Sequence, residues 1–203
     1  MSLAPALWKA NGDWAQRILA HGFVRGLGDG ALPVASFKRY VAQDAYFLEA
    51  FARAYAFCLA NSTARDDLHG FAELIAGVLE ELKLHAGYAE RWQVDLTGVT
   101  PVGATRAYTD FLLETARRGV LGETIAAMTP CMRLYAFLGQ SLARGNVAPL
   151  YAEWVKTYAD PGFEGLAARL EELLDRHAVD TPAVRANYRR AMELEYGFFD
   201  ANI

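Results

Sequence analysis

Hydrophobic side chains recur at steps of three and four residues along most of this sequence, and no stretch of useful length alternates between apolar and polar positions. Steps of three and four place side chains on one face of an α-helix, whereas a half-buried strand has a period of two. We therefore predict an all-α fold, a single-domain bundle of about eight helices over residues 1–203. The predicted helices lie near residues 4–20, 34–59, 64–92, 101–118, 121–142, 149–159, 163–177 and 182–200.

The segment HGFVRGLGDGALP, residues 21–33, separates the first two predicted helices. It contains four glycines and a proline, which favour turns and loops over helix. We predict a non-helical connection here. His21 stands at its start, and we interpret it as a capping or packing histidine rather than a ligand.

The predicted helix over residues 121–142 contains a cysteine directly after a proline. Pro130 has no N–H to donate to the carbonyl of Ala126, and its ring pushes the helical turn apart. The pattern predicts a kink that holds the Cys131 thiol beside Tyr135, one turn further on. Free cysteines are usually buried and inert, so the residues that other helices bring near Cys131 decide whether it reacts.

Two carboxylates interrupt apolar helix faces. Asp44 lies in a stripe of large apolar and aromatic side chains, and Glu195 shares one side of the last predicted helix with Phe198. Burying an unpaired carboxylate is costly, so each must find donors, become protonated or face a cavity. Phe47 lies about one turn from Asp44 and can line the same cavity. Two interpretations fit this pattern. The carboxylates are either structural groups with satisfied hydrogen bonds, or they line a pocket for a flat, hydrogen-bonding ring.

The composition is that of a soluble globular protein, with 53% hydrophobic residues, 22% charged residues and a net charge of −4. Acidic and basic residues are interspersed, so no basic stripe indicates a nucleic-acid surface. No apolar run reaches the roughly 18 residues that span a bilayer, and the N-terminus lacks the apolar core of a signal peptide. We expect a cytoplasmic protein that binds neither nucleic acid nor membrane.

The candidate metal ligands are few. Two cysteines without paired spacing indicate neither a disulfide framework nor a zinc site. Glu81 and His85 lie one turn apart on the predicted helix over residues 64–92, a spacing that can bind a metal. Such Glu–His pairs are common on helices for other reasons, and we predict no metal site.

Six segments carry a resemblance to a known family: HGFVRGLGDGALP, FKRYVAQDAYFL, AYTDFL, TPCMRLY, YAEWVKTY and ELEYGFF. Each is short, but in this order and over nearly the whole chain they resemble the TenA (thiaminase II) family of aminopyrimidine aminohydrolases. The resemblance implies the haem-oxygenase-like helical fold of that family.

The resemblance also implies which residues act. Cys131 matches the family's nucleophile, and Glu195 matches its catalytic glutamate. Phe47 departs from the family, which often has a tyrosine there, so stacking should survive while a hydroxyl hydrogen bond is lost. The implied substrate-binding residues are Asp44, Phe47, Tyr108, Tyr135, Tyr158 and Phe198, the last of them stacking on the pyrimidine.

The implied reaction is hydrolysis of 4-amino-5-aminomethyl-2-methylpyrimidine to the hydroxymethylpyrimidine, a step of thiamin salvage, with thiamin as a second candidate substrate. The residue types suit this chemistry, because a thiolate that adds to the ring makes an electron-rich adduct able to expel the group on the exocyclic methylene. The resemblance implies a small-molecule pyrimidine as partner, no metal or organic cofactor, and a homotetramer.

Two alternatives stay open at this point. The first is a haem-oxygenase-like oxidase or oxygenase that uses haem, a quinone precursor or two irons. A di-iron site needs several carboxylates and histidines on facing helices, and this chain has four histidines, of which only His85 has a useful neighbour in Glu81. The second is a non-catalytic helical protein that keeps the pocket and binds a ligand.

Overall fold

The structure of the protein, a computed structural model, describes residues 2–203. Within this range the regular secondary structure consists of ten α-helices and one 3-10 turn at Pro149–Tyr151. The all-α prediction is confirmed, with ten helices in place of about eight. The helices are α1 (Leu3–Ala10), α2 (Gly12–Leu19), α3 (Gly22–Asp29), α4 (Val34–Asn61), α5 (Arg65–Trp92), α6 (Gly103–Arg117), α7 (Leu121–Ala143), α8 (Ala152–Ala159), α9 (Pro161–His177) and α10 (Pro182–Asp200).

The first predicted helix is two helices that meet at Asn11. The Asn11 side-chain amide donates to the backbone carbonyl of Leu7 at 2.9 Å, and its backbone leaves the helical region with φ −110° and ψ 16°. Asparagine offers the backbone this local alternative to a helical hydrogen bond. The periodicity of apolar residues continues across the break, and for this reason the sequence pattern did not reveal it.

The predicted loop over residues 21–33 is wrong for most of its length, because Gly22–Asp29 forms α3. Burial of Phe23, Val24 and Leu27 compensates for the low helix propensity of its glycines. His21 is the N-cap, since its Nδ1 accepts from the backbone N–H of Phe23 at 3.2 Å; the capping interpretation is confirmed. Gly30 ends the helix with φ 78°, a left-handed conformation that favours glycine.

Helix α7, which carries Cys131, lies at the centre of the bundle. It packs against α8, α9 and α10, touches α4 and α6, and runs unbroken past Pro130. A Cβ at Gly139 would collide with the backbone of Tyr158 and Ala159. Glycine at this position therefore lets α8 approach closely, which places the Tyr158 ring 4.8 Å from the Tyr135 ring between centroids.

The remaining helices close around this centre. Helix α4 packs against α5 and α6, α1 against α9, and α2 against α10. One hydrophobic cluster draws side chains from all of these helices, although the organisation as one domain over residues 1–203 stays a prediction. None of the helices within residues 2–203 has the length and apolar character needed to cross a bilayer.

Candidate active site

A small internal cavity lies beside Cys131, between helices α4, α5, α7 and α9. Four of the predicted site residues line it, and all four are buried. The cavity therefore combines a thiol, carboxyl groups and aromatic faces in one enclosed space. Its lining residues are Asp44, Phe47, Leu48, Phe51, Glu81, Cys131, Met132, Tyr135 and Phe163.

Glu195 approaches the thiol from α10 and is held by a phenol from α6. The Tyr108 hydroxyl donates to Oε1 of Glu195 at 2.8 Å, and both side chains are about 1% exposed. The Cys131 thiol lies close enough to the Glu195 carboxyl for each group to influence the pKa of the other. Three helices thus bring a nucleophile candidate, a carboxyl group and an orienting hydroxyl together.

The buried position of Glu195 changes its acidity. Burial raises the pKa of Glu195 to about 8, although the hydrogen bond from Tyr108 and the neighbouring Cys131 thiol act in the opposite direction. A carboxyl group with a pKa in this range holds its proton near neutral pH and can give it up or take it back during a reaction. Glu195 can therefore act as an acid and as a base.

We expect the free energy of unfolding to record this raised pKa. The native state holds the Glu195 proton more tightly than the unfolded state, so the stability it contributes is complete below about pH 4.5 and is lost as the pH rises through about 8. The glutamine side chain is neutral at every pH. Glu195→Gln should therefore lose less stability than the wild type over that range, and the difference between the two losses should exceed about 1.4 kcal/mol, the equivalent of one pKa unit.

Urea unfolding of both proteins at pH 5 and pH 8.5 measures this difference. Glu193→Gln is the matched control, because Glu193 is partly exposed on the same helix and pairs with Arg190 at 3.2 Å. The Glu81 carboxyl is unchanged in all three proteins and cancels from the comparison. An identical pH dependence of stability in wild type and Glu195→Gln contradicts the raised pKa.

The Cys131 thiol is protonated in the resting protein. Burial raises its pKa well above the usual value, and the carboxyl groups of Glu195, Glu81 and Asp44 raise it further. This setting disfavours the thiolate. Any reaction of the thiol needs a base within reach when the substrate is bound, and Glu195 is the nearest candidate.

Asp44 is paired with a histidine that the sequence did not identify as its partner. Its Oδ2 lies 2.8 Å from Nε2 of His85 on α5, and both side chains are almost completely buried. The second ring nitrogen, Nδ1, lies 3.0 Å from the backbone carbonyl of Glu81. Asp44 is thus both a satisfied carboxylate and a wall of the cavity.

Glu81 connects the cavity to the surface. The Tyr158 hydroxyl from α8 donates to its Oε1 at 2.5 Å. Burial, followed by the nearby charge of Asp44, raises the pKa of Glu81 to about 7. Glu81, Met132 and Phe163 line both the cavity and a groove of about 680 Å³ that opens between α5, α8 and α9. A ligand in the cavity can extend into this groove.

Aromatic rings cluster around Phe47 next to the cavity. The Phe47 ring lies 4.7 Å from the Tyr108 ring and 5.9 Å from the Phe198 ring between centroids. Phe47 therefore faces the site and is not core on the far side of its helix. Phe198 and Tyr158 stand behind the lining residues, so the structure brings them next to the cavity without placing them on its surface.

Both ring nitrogens of His85 are engaged with Asp44 and Glu81, which leaves neither free to bind a metal. Among residues 2–203, no group of three or more histidine, cysteine, aspartate or glutamate side chains is arranged to hold a metal ion. The Glu81–His85 spacing thus serves a hydrogen-bond network. The sign of this network in the sequence was the position of His85 among the apolar residues on the core-facing side of its helix.

A family model described as the TENA/THI-4/PQQC family matches residues 8–203. The chain belongs to this family. The resemblance to TenA proteins is confirmed. The TENA/THI-4/PQQC match covers all the helices that form the site, from α4 to α10.

Individual relatives of this TENA/THI-4/PQQC protein agree. The aminopyrimidine aminohydrolase of Halalkalibacterium halodurans is 34% identical over 186 residues, which cover 88% of this chain and 83% of that protein. The mitochondrial bifunctional TH2 protein of Arabidopsis thaliana is 34% identical over an alignment of 203 positions, which covers 86% of this chain and 33% of that protein. The solved structure of a TenA family transcription regulator from Silicibacter sp. TM1040 superposes with a TM-score of 0.91 at 28% identity, covering 98% of this chain and 96% of that one.

Proposed function

We propose that this protein is an aminopyrimidine aminohydrolase of thiaminase II type. Its substrate in this proposal is 4-amino-5-aminomethyl-2-methylpyrimidine, which reacts with water to give the hydroxymethylpyrimidine and ammonia in thiamin salvage. The observation that supports the proposal most is that Cys131 and Asp44 line one buried cavity with aromatic side chains, while Glu195 lies next to Cys131. The kinship with a protein named for this activity supports the same assignment.

In the proposed first step, the ionised form of Glu195, which is the minor form near neutral pH, takes the proton of Cys131 while the sulfur adds to a carbon of the pyrimidine ring. The adduct is electron-rich and expels the amine from the exocyclic methylene, and Glu195 returns the proton to the leaving nitrogen. In the second step, water adds at the methylene carbon and gives up a proton to Glu195. The sulfur then leaves the ring, regains that proton, and the hydroxymethylpyrimidine is released.

The remaining residues orient the substrate. Asp44 accepts a hydrogen bond from the aminopyrimidine edge, and the Phe47 and Phe198 rings flank the pyrimidine. Burial raises the pKa of the Tyr108, Tyr135 and Tyr158 hydroxyls well above the usual value, so all three stay neutral donors. The enclosed cavity strengthens these hydrogen bonds because little water competes for them.

A substrate panel tests the proposal and separates the two candidate substrates. The groove beyond Glu81 offers room for a leaving group larger than an amine, so thiamin, whose leaving group is a thiazole, is the informative comparison. We expect a higher kcat/KM for the aminomethylpyrimidine than for thiamin. No turnover of either compound would overturn the assignment.

The same experiment separates the alternatives. A non-catalytic ligand-binding protein would bind the pyrimidine without converting it. The relative from Silicibacter sp. TM1040 carries the description of a transcription regulator, which makes this comparison worth running. An oxidase would contain haem, iron or a quinone precursor, and iron analysis of the purified protein identifies such a group.

Phe47 allows a test of the aromatic wall. Because a phenyl ring stacks about as well as a phenol, Phe47→Tyr should change kcat/KM by roughly tenfold or less, the value of one neutral hydrogen bond of about 0.5–1.5 kcal/mol. Phe47→Ala should lower kcat/KM further and raise KM, since it removes the stacking surface and admits water. Steady-state kinetics with parallel thermal melts measure both effects.

The control for Phe47→Ala is Phe137→Ala. Phe137 is a partly buried ring on α7 that packs against Trp8, with ring centroids 5.5 Å apart, on the outer side of the bundle. Phe137→Ala should lower the melting temperature and leave KM unchanged. A wild-type KM in Phe47→Ala would remove this residue from the proposed site.

The proposal also covers the location and the oligomeric state of the enzyme. We propose a cytoplasmic homotetramer, in line with the resemblance to the TenA family and with the expectation from composition. Light scattering coupled to size-exclusion chromatography measures the number of subunits directly.

A further inference from the structure

The hydrogen bonds of His85 determine how many protons its imidazole ring carries. Nδ1 of His85 lies 3.0 Å from the backbone carbonyl oxygen of Glu81, and a carbonyl oxygen only accepts. Nδ1 must therefore carry a proton. A neutral imidazole has one N–H in total, so Nε2 would then present a lone pair to the Asp44 carboxyl group 2.8 Å away.

Two lone pairs facing each other at this distance repel, and burial removes the water that could separate them. A second proton must therefore lie between Nε2 and Oδ2. We propose that His85 is a positioning residue for the pyrimidine site: a buried imidazolium that keeps Asp44 ionised and fixes its Oδ2, so that Oδ1 accepts from the substrate. This proposal rests on the proposed function for the identity of the substrate.

The surroundings support the ionic form over a neutral pair. Burial alone would lower the pKa of His85, but the hydrogen bond that it donates to Asp44 and the negative charges of Asp44 and Glu81 outweigh this effect and raise the pKa. The aromatic neighbours of the ring are Tyr40 on α4, at 6.4 Å, and Tyr88 on α5, at 5.9 Å between centroids. These phenols bring no opposing positive charge.

The consequence for recognition follows from geometry. An unrestrained carboxylate in a cavity can rotate and share both oxygens among donors, including water. His85 reaches Asp44 from α5, 41 residues away in sequence, so it ties the carboxylate to a second helix. A charge-assisted hydrogen bond of this kind is roughly twice as strong as a neutral one. The pyrimidine then meets an acceptor whose position and charge are already set.

Two measurements test the proposal. The first is the ¹⁵N NMR signature of the ring nitrogens of His85 in the wild-type protein at pH 7, where we expect both nitrogens to be protonated. The second is a double-mutant cycle on the binding of hydroxymethylpyrimidine, the proposed product, followed by NMR titration. His85→Gln keeps a donor near the Nε2 position but removes the charge, and should weaken binding about tenfold.

The cycle is completed in the Asp44→Asn background. If His85 acts through Asp44, His85→Gln should change the affinity there by less than about twofold. His69→Gln is the matched control, because His69 is exposed on the same helix, and it should bind the product like wild type. Circular dichroism and thermal melts confirm that the variants fold.

Three results would overturn the proposal. A neutral His85 ring in the wild-type protein removes the imidazolium, and this result needs no variant that folds. An equal loss of affinity from His85→Gln in both backgrounds shows that His85 does not act through Asp44. Failure of the wild-type protein to bind the pyrimidine removes the proposed function and the positioning role together, and is distinguishable because the control His69→Gln fails as well.

Discussion

Replacing Cys131 with alanine is expected to lower kcat for the aminomethylpyrimidine by roughly three orders of magnitude or more, while the protein stays folded. The proposed adduct cannot form without the sulfur, and the remaining groups can only favour direct attack of water on the methylene carbon. Cys131 is 8% exposed and lines the cavity, so removal of its sulfur leaves space next to the substrate without disturbing a surface.

Cys58 provides the matched control. It is the second free cysteine and is 1% exposed, and burial raises its pKa to about 12. It does not line the cavity. Cys58→Ala should cost about 1 kcal/mol of stability, as other small core truncations do, with kcat within about twofold of wild type. Wild-type kcat in Cys131→Ala would exclude the nucleophile role.

Replacing Asp44 with asparagine is expected to lower kcat/KM by roughly two orders of magnitude, because a charge-assisted hydrogen bond to the substrate is worth about 1.5–3 kcal/mol. The amide has nearly the shape of the carboxylate, so the cavity keeps its form. The variant should also melt at a lower temperature, because it removes the anion that neutralises the buried His85.

Asp67 separates the two effects. This carboxylate is also buried and also paired with a histidine, His177 at 2.9 Å, and with Arg176 at 2.6 Å, but it lies between α5 and α9 away from the cavity. Asp67→Asn should lower the melting temperature by a comparable amount with unchanged kcat/KM. If Asp44→Asn behaved in the same way, Asp44 would be a structural carboxylate only.

Periodicity in the sequence predicted much of the fold for a physical reason. A helix buried on one face must repeat its apolar residues every three to four positions, and this holds for α5 and α10. The central helix α7 is buried nearly all round, but its large apolar residues keep the same spacing. Prediction from periodicity fails where a short helix is built from weak helix formers. In α3 the glycines predict a loop, but burial of its aromatic and aliphatic residues and the cap from His21 determine the outcome.

Less of the candidate site than of the fold could be predicted from the sequence. A lone carboxylate on an apolar face pointed to Asp44 and Glu195, since such a group needs a compensating partner. The partners themselves come from other helices: His85 is 41 residues from Asp44, and Tyr108 is 87 residues from Glu195. Local spacing carries no information on such pairs. The roles assigned to these residues came from family resemblance.

The protonation state of the thiol also depended on three-dimensional structure. The sequence places a tyrosine one turn from Cys131 but does not show which groups other helices bring to the thiol. The structure surrounds the thiol with the carboxyl groups of Glu195, Glu81 and Asp44, which disfavour the thiolate. The reactivity of the thiol is therefore coupled to substrate binding and to proton transfer to Glu195.

The proposed function requires that the site around Cys131 convert an aminomethylpyrimidine to its alcohol. The most direct measurement is a time course of the purified protein with 4-amino-5-aminomethyl-2-methylpyrimidine, in which ammonia and the hydroxymethylpyrimidine are quantified together. We expect both products to form in a one-to-one ratio, over many turnovers per protein molecule, without added metal or cofactor. Absence of both products, with the pyrimidine recovered unchanged, would contradict the proposed function.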